Sequence, residues 1–211
     1  MPFKITDITF FFISRSGKTS LITKILANIQ NFSKQPPKIT IYVYATWQDK
    51  YDELKNMVQY FIEDDTDLAL KIEQITSQTK STLIILDDMM NSANLRYFME
   101  LFTVQARHNN MSIIFLSQTM FGGQDEALRK ITNNCDYMIV HRNTRNAQQV
   151  NNLASQMTPG NKKLVDIYAA ATDDEAYSYL FIDLTQQCPK HLKYRSHLFD
   201  KDHSIRVYVQ N

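Results

Sequence analysis

Glycine is scarce in this chain, with 4 in 211 residues. Loops that wrap phosphate groups depend on glycine, so any such loop here must work with few of them. Cysteine is rarer still. Cys135 and Cys188 lie far apart and form no C-x-x-C pair, which argues against a disulfide-stapled scaffold and reads as two reduced thiols in a reducing compartment. The 5 histidines are scattered, none at metal-ligand spacing from another His or Cys, so no structural zinc is expected. Long apolar runs are also missing near the N-terminus. Phe10–Ile13 is too short for a signal-peptide core or a membrane span. The expectation is an intracellular, soluble protein without membrane insertion. Nor does one sign of charge dominate: 23 Lys and Arg against 22 Asp and Glu leave a formal +1. Net charge alone therefore points to neither nucleic acid nor membrane, although a local basic face remains open.

What is present is an ordinary globular composition, 44% hydrophobic and 11% aromatic, in a chain long enough to bury a full core. Without an internal repeat, a low-complexity segment or a convincing linker, residues 1–211 read as a single domain, with 190–211 as a mixed, basic-leaning tail.

Apolar runs and helical periodicities alternate along the chain. The run 9–13 reads as a buried strand, and residues 19–29 repeat Leu21, Ile22, Ile25, Leu26 and Ile29 at helical spacing. Pro36-Pro37 breaks the chain before a second strand over 38–46. Residues 49–65 and 67–78 read as helices with Asp49 and Asp67 as start signals. "TLIILDD" (82–88) is a continuous apolar strand ending in two acids, a pattern suited to a parallel sheet covered on both faces. Helices are expected over 92–104, 124–133, 147–157 and 162–171, and strands over 111–118, 137–141 and 177–184. The predicted fold is α/β with a mainly parallel central sheet flanked by helices.

"SRSGKTS", between the first strand and the first helix, holds the closing half of the pattern G-x-x-x-x-G-K-[ST]. Ser14, Arg15, Ser16, Gly17, Lys18, Thr19 and Ser20 are the candidate nucleotide-binding residues. Lys18 would reach the β- and γ-phosphates of ATP, and Thr19 would give its hydroxyl to Mg²⁺. The opening glycine of the pattern falls on Phe12. Phenylalanine there either opens the loop or belongs to the strand and leaves a shorter cradle, and in both cases triphosphate affinity should fall. The alternative is a short polar loop before an amphipathic helix, with Lys18 solvated.

A carboxylate at the tip of a buried strand can hold Mg²⁺, and the acid after it can polarise the attacking water. That assigns Asp87 to the metal and Asp88 to the general-base position, against the reading of an Asp pair that merely forms a turn. Gln118 ends the strand 111–118, where its amide would face the γ-phosphate or the attacking water. Arg107, in the loop before that strand, could be offered to a neighbouring subunit to stabilise charge in phosphoryl transfer. A solvated loop and an ordinary strand-end amide are the plainer alternatives.

Taken together, "SRSGKTS", "LIILDDMM", "ARHNNMSIIFLSQTMF", "NNCDYMIVHRNTRNAQQVNNLASQM" and "AYSYLFIDLTQQCPKHLKYRSHLF" resemble the genome-packaging ATPases of the FtsK–HerA superfamily. The poxvirus-like branch found in large DNA viruses, virophages and Polinton (Maverick) transposons is the most similar. The resemblance runs from about residue 10 to about residue 200. It implies a RecA-like P-loop NTPase fold with strand order 5-1-4-3-2, a hexameric ring, ATP and Mg²⁺ as cofactors, and double-stranded DNA in the pore. Carried over, it makes Arg107 the leading arginine acting in trans, with Arg142 and Arg145 behind it, and Gln118 the sensor. Capsid proteins become candidate partners, and a viral assembly site in the host cytoplasm or nucleus the expected location. Lys190, Lys193, Arg195, Lys201 and Arg206 could supply DNA phosphate contacts, or form a solvated tail with Asp200 and Asp202. The function expected is an ATP-driven DNA translocase. A related FtsK–HerA motor outside packaging and a non-catalytic descendant acting as an assembly subunit are the alternatives.

Overall fold

A computed structural model describes residues 9–13, 17–32, 36–77, 81–106, 110–119, 126–143, 147–157, 163–173, 175–199 and 204–209. Nine strands form one sheet in the order β3-β2-β4-β5-β1-β6-β7-β8-β9. They are β1 (Thr9–Ile13), β2 (Ile39–Tyr44), β3 (Tyr60–Glu63), β4 (Thr82–Asp87), β5 (Met111–Ser117), β6 (Tyr137–His141), β7 (Tyr179–Asp183), β8 (Tyr194–Ser196) and β9 (Arg206–Tyr208). The pairings from β3 through β6 are all parallel, and those of β6–β7, β7–β8 and β8–β9 are antiparallel. Leaving out β3, the five strands β1, β2, β4, β5 and β6 run 5-1-4-3-2 across the sheet, as the family resemblance implies.

Strands β4 and β5 are buried along their whole lengths, which explains their unbroken apolar sequences. Their side chains alternate between two cores. Phe11, Ile84, Leu86 and Phe115 enter one with Phe98 and Leu101 from the following helical segments. Phe10, Ile85, Ile114 and Leu116 enter the other with Leu21, Ile22 and Ile25 of helix α1 (Lys18–Ala27). Phe11 and Phe115 stack with centroids 5.6 Å apart, an arrangement worth about 0.5–1.5 kcal/mol beyond its buried area. The described helices after α1 are α2 (Ile29–Phe32), α3 (Leu68–Thr76), α4 (Leu95–Glu100), α5 (Glu126–Asn133), α6 (Ala147–Met157) and α7 (Lys163–Thr172). From α4 the chain continues as a π-helical stretch over Leu101–Gln105.

Two segments depart from the sequence expectation. Residues 49–65 are not one helix: Asp49–Leu54 is a 3₁₀ turn, and Tyr60–Glu63 is the parallel edge strand β3. The segment is rich in helix-forming Glu and Lys, but the hydrogen bonds that β2 offers on its open side take precedence over local propensity. The tail is also more ordered than its composition suggests, since β8 and β9 extend the sheet.

Candidate nucleotide site

Strand β1 lies between β5 and β6, so the chain leaves its carboxyl end at a switch in strand order. Open α/β sheets bind ligands at such points. Phe12 is part of β1, in register with Leu116 of β5 and Ile139 of β6. The position that would open a phosphate loop is therefore strand, and residues 14–16 separate β1 from Gly17. Ser14, Arg15 and Ser16 fall outside the described residues, as do Arg107 and Arg145.

Gly17 precedes α1 at φ 82°, a left-handed conformation open to glycine, and its carbonyl accepts from Leu21 N at 2.9 Å. A Cβ here would also meet Cδ1 of Tyr177 at 3.0 Å. Helix α1 thus starts at Lys18, with Thr19 buried and Ser20 exposed on its first turn. An N-terminus of this kind presents backbone N–H groups and positive potential to anions.

The Lys18 ammonium lies 3.5 Å from Asp87 Oδ1 and 3.5 Å from Asp88 Oδ1. Asp87 ends β4 and is only 4% exposed. Its Oδ2 accepts two hydrogen bonds, from Tyr42 Oη of β2 at 2.7 Å and from Tyr51 Oη of the 49–54 turn at 2.8 Å. Its Oδ1 is buried without a hydrogen-bond donor among the described residues. Burial, and then the Asp87 charge, push both phenol pKa values above the ordinary tyrosine value. Tyr42 and Tyr51 therefore remain protonated donors at neutral pH.

Asp88 follows the strand with φ 63°, and its N–H donates to Leu116 O at 3.1 Å. A left-handed aspartate costs about 1 kcal/mol or more; here it carries the carboxylate out of the sheet, where Gln118 Nε2 donates to Oδ2 at 2.7 Å. Beside this pair a cavity of about 380 Å³ is lined by Asp88, Met90, Asn91, Gln118, Thr119 and Gln149, with Asn143 across it. A larger hollow of about 820 Å³ lies between α4 and α5, lined by Arg96, Glu126 and Lys130 among others, and touches none of Lys18, Asp87 or Asp88.

The described sequence candidates thus converge: Lys18, Thr19, Asp87, Asp88 and Gln118 all sit at the carboxyl edge of β1, β4 and β5 or at the start of α1. Arg142 does not point the same way, since it pairs with Asp173 at 3.2 Å. Arg195 departs most clearly from its expected role. It is buried and bound to Asp183 Oδ2 at 2.7 Å, so it belongs to the core of the antiparallel half.

The donor set fits a hard cation such as Mg²⁺. Magnesium in nucleotide sites is held by one or two carboxylates, substrate phosphates and water rather than by an all-protein cage. Asp87 Oδ1, a buried carboxylate oxygen with no hydrogen-bond donor, is an acceptor of that type. Among the described residues no cluster of three His, Cys, Asp or Glu forms a cage.

Three tyrosines beside these residues carried no signal in the sequence. Tyr42 falls in the strand read over 38–46 and Tyr51 in the helix read over 49–65, and only folding brings both to one oxygen. Tyr177 is 64% exposed with φ 68°, and its carbonyl lies 3.1 Å from His141 Nδ1. A carbonyl only accepts, so Nδ1 carries the imidazole proton. Burial depresses the His141 pKa to about 4.

A family model described as Poxvirus A32 protein matches residues 8–203. No curated protein matches the chain. Among the solved structures that share the fold are two ATPase-related chains. One is the pCW3 conjugation coupling protein TcpA in its monomer form with ATPγS, at 16% identity and a TM-score of 0.53 over 84% of this chain. The other is the cytoplasmic domain of the Thermomonospora curvata type VII secretion ATPase EccC, at 14% identity and a TM-score of 0.50 over 97% of this chain. The chain spans 57% and 24% of those two chains. Among the described residues no helix is long and apolar enough to cross a membrane.

Proposed function

The chain belongs to the poxvirus A32 protein family, the packaging-ATPase branch that its motifs resemble, and on that premise we propose that it is an ATP-driven motor that moves double-stranded DNA into a capsid. The observation that carries the reading is the meeting of Lys18 with Asp87 and Asp88, residues from two separate sequence blocks, at 3.5 Å.

In this reading Lys18 and the N-terminus of α1 bind the phosphates, with Ser14, Arg15, Ser16 and Ser20 completing the contacts. Thr19 and Asp87 would hold Mg²⁺, which would supply positive charge against the charge that develops on the phosphates. Asp88 accepts the proton of the attacking water. Gln118, bonded to Asp88 here, is placed to exchange that bond for the γ-phosphate or the water, which would link the state of the site to β5. Arg107 is the group proposed to reach a neighbouring subunit, in a ring of six. Exposed Lys190 and Arg206, with half-buried Lys193, offer contacts to DNA phosphates. Arg195 is excluded from that set by its burial.

The test is Mg²⁺-ATP hydrolysis with and without double-stranded DNA, in the native chain and in Lys18→Ala. The expected outcome is DNA-stimulated turnover that falls at least about a hundred-fold in the variant, as removal of one preorganised charge contact does elsewhere. Absence of turnover in the native chain would contradict the motor and favour a scaffold that retains a motor fold.

A further inference from the structure

We infer that Tyr42 and Tyr51 are positioning residues that select which oxygen of Asp87 takes the metal, an inference that rests on the nucleotide-site reading above. Both hydroxyls donate to Oδ2, at 2.7 and 2.8 Å, and among the described residues no hydrogen-bond donor reaches Oδ1. A buried carboxylate oxygen left without a donor is costly and calls for a reason. Lys18 at 3.5 Å offers charge, but lies beyond good hydrogen-bond length. The remaining valence of Oδ1 suits a cation or a water bound to one.

The chemistry of the clamp supports this assignment. Phenol hydroxyls are neutral, so they fix the carboxylate plane without cancelling its negative charge. An arginine in their place would hold the group equally well and would repel a divalent cation. With Oδ2 engaged twice, rotation of the carboxylate about its Cβ–Cγ bond would break two charge-assisted hydrogen bonds, and Oδ1 stays directed at the lysine side of the site. Outer-shell groups that orient ligands in this way are worth about 10–100-fold in metal affinity.

The clamp also carries its own reporter. The ring of Tyr51 lies 5.6 Å from that of Trp47, the chain's single tryptophan, and Tyr42 and Trp47 both touch Phe61. Trp47 is partly exposed, with Lys55 Nζ 5.3 Å from its ring. A shift of the Tyr51 hydroxyl on metal binding will therefore alter the emission of one identifiable fluorophore.

The experiment titrates Mg²⁺ into the full chain with ATP present, following Trp47 emission and calorimetric heat, for the native protein, Tyr42→Phe, Tyr51→Phe and the double variant. Phe61→Leu, which trims the aromatic cluster and keeps both hydroxyls, serves as the packing control. The expected result is a Mg²⁺ midpoint raised roughly ten-fold in each single variant and about a hundred-fold in the double, with ATP binding in EDTA unchanged. Phe61→Leu should keep the native midpoint. Should the double variant fail to fold, as judged by its circular dichroism and melting curve, Tyr51→Phe, which removes only one hydroxyl from the 49–54 turn, carries the test. Native-like Mg²⁺ midpoints in folded tyrosine variants would overturn the clamp and leave the nucleotide site standing. No binding of ATP or Mg²⁺ by the native chain would overturn both.

Discussion

Asp87 and Asp183 are two buried aspartates that close apolar strands, β4 in the parallel half of the sheet and β7 in the antiparallel half. Their surroundings differ in kind. Asp183 is fully satisfied: Oδ2 accepts from Arg195 Nη2 at 2.7 Å, and Oδ1 accepts from the Thr185 hydroxyl at 2.7 Å and its N–H at 3.1 Å. A cationic partner neutralises it, and the guanidinium rests 4.9 Å from the Phe181 ring centroid. Asp87 receives neutral donors on one oxygen, and the other has the Lys18 ammonium at 3.5 Å but, among the described residues, no hydrogen-bond donor. A closed, charge-compensated acid serves the fold. One with an oxygen beyond hydrogen-bond reach of its cation, Lys18 at 3.5 Å, costs stability, and its persistence at the carboxyl edge of β4 supports the proposed site there.

The largest effect that would sharpen this contrast comes from Arg195→Met. It leaves Asp183 charged and buried without its cation, at a cost of about 3–5 kcal/mol. Melting should fall on the order of 10 °C, with the Mg²⁺ dependence of nucleotide binding unchanged. Calorimetric melts and Mg²⁺ titrations of the variant check both halves of that statement.

Acid should act next most strongly, through His141 at the tip of β6. Its folded pKa is depressed to about 4 by burial, below the ordinary value near 6.5, so the unfolded chain takes up this proton first. The stabilisation is fully present above about pH 6.5 and is lost as pH falls through about 4, amounting to roughly 3 kcal/mol. Urea unfolding at pH 7, 5.5 and 4.5 should show this loss. His141→Asn, which can still donate to the Tyr177 carbonyl, should flatten it.

A smaller effect probes the joint between the halves. Gly17→Ala puts a side chain at φ 82° and against the Tyr177 ring, and should cost about 1–2 kcal/mol. Adding Tyr177→Ala should recover the contact part and leave the backbone part. Full recovery would show that the positive φ at residue 17 carries no strain.

Much of the parallel half was legible in the sequence. The runs ending at Ile13, Asp87 and Ser117 are apolar because both faces are covered, and the polar residues at their tips stand out for that reason. Strand β3 was not legible, because Tyr60–Glu63 is a half-exposed edge whose flanking Glu and Asp fit a helix equally well. The three-residue strands β8 and β9 are too short to show a period. Phe12 was legible as a departure from the phosphate-loop pattern, and the structure gives its basis: it pairs with neighbours on both sides inside β1. The second acid after Asp87 marked it in the sequence, but the different surroundings of Asp87 and Asp183 could not be read. "LIILD" and "LFID" look alike in sequence, and only the partners brought by distant strands and turns separate the two acids.

The most direct test of the account sets Asp87→Asn beside Asp183→Asn and measures Mg²⁺-ATP turnover and melting temperature for each. The account predicts that Asp87→Asn loses turnover by about a hundred-fold or more and melts within a few degrees of the native chain, whereas Asp183→Asn, which strands Arg195, loses stability and keeps turnover at temperatures where it is folded. Turnover that survives Asp87→Asn, or that falls equally in both variants, would contradict the placement of the site at the end of β4.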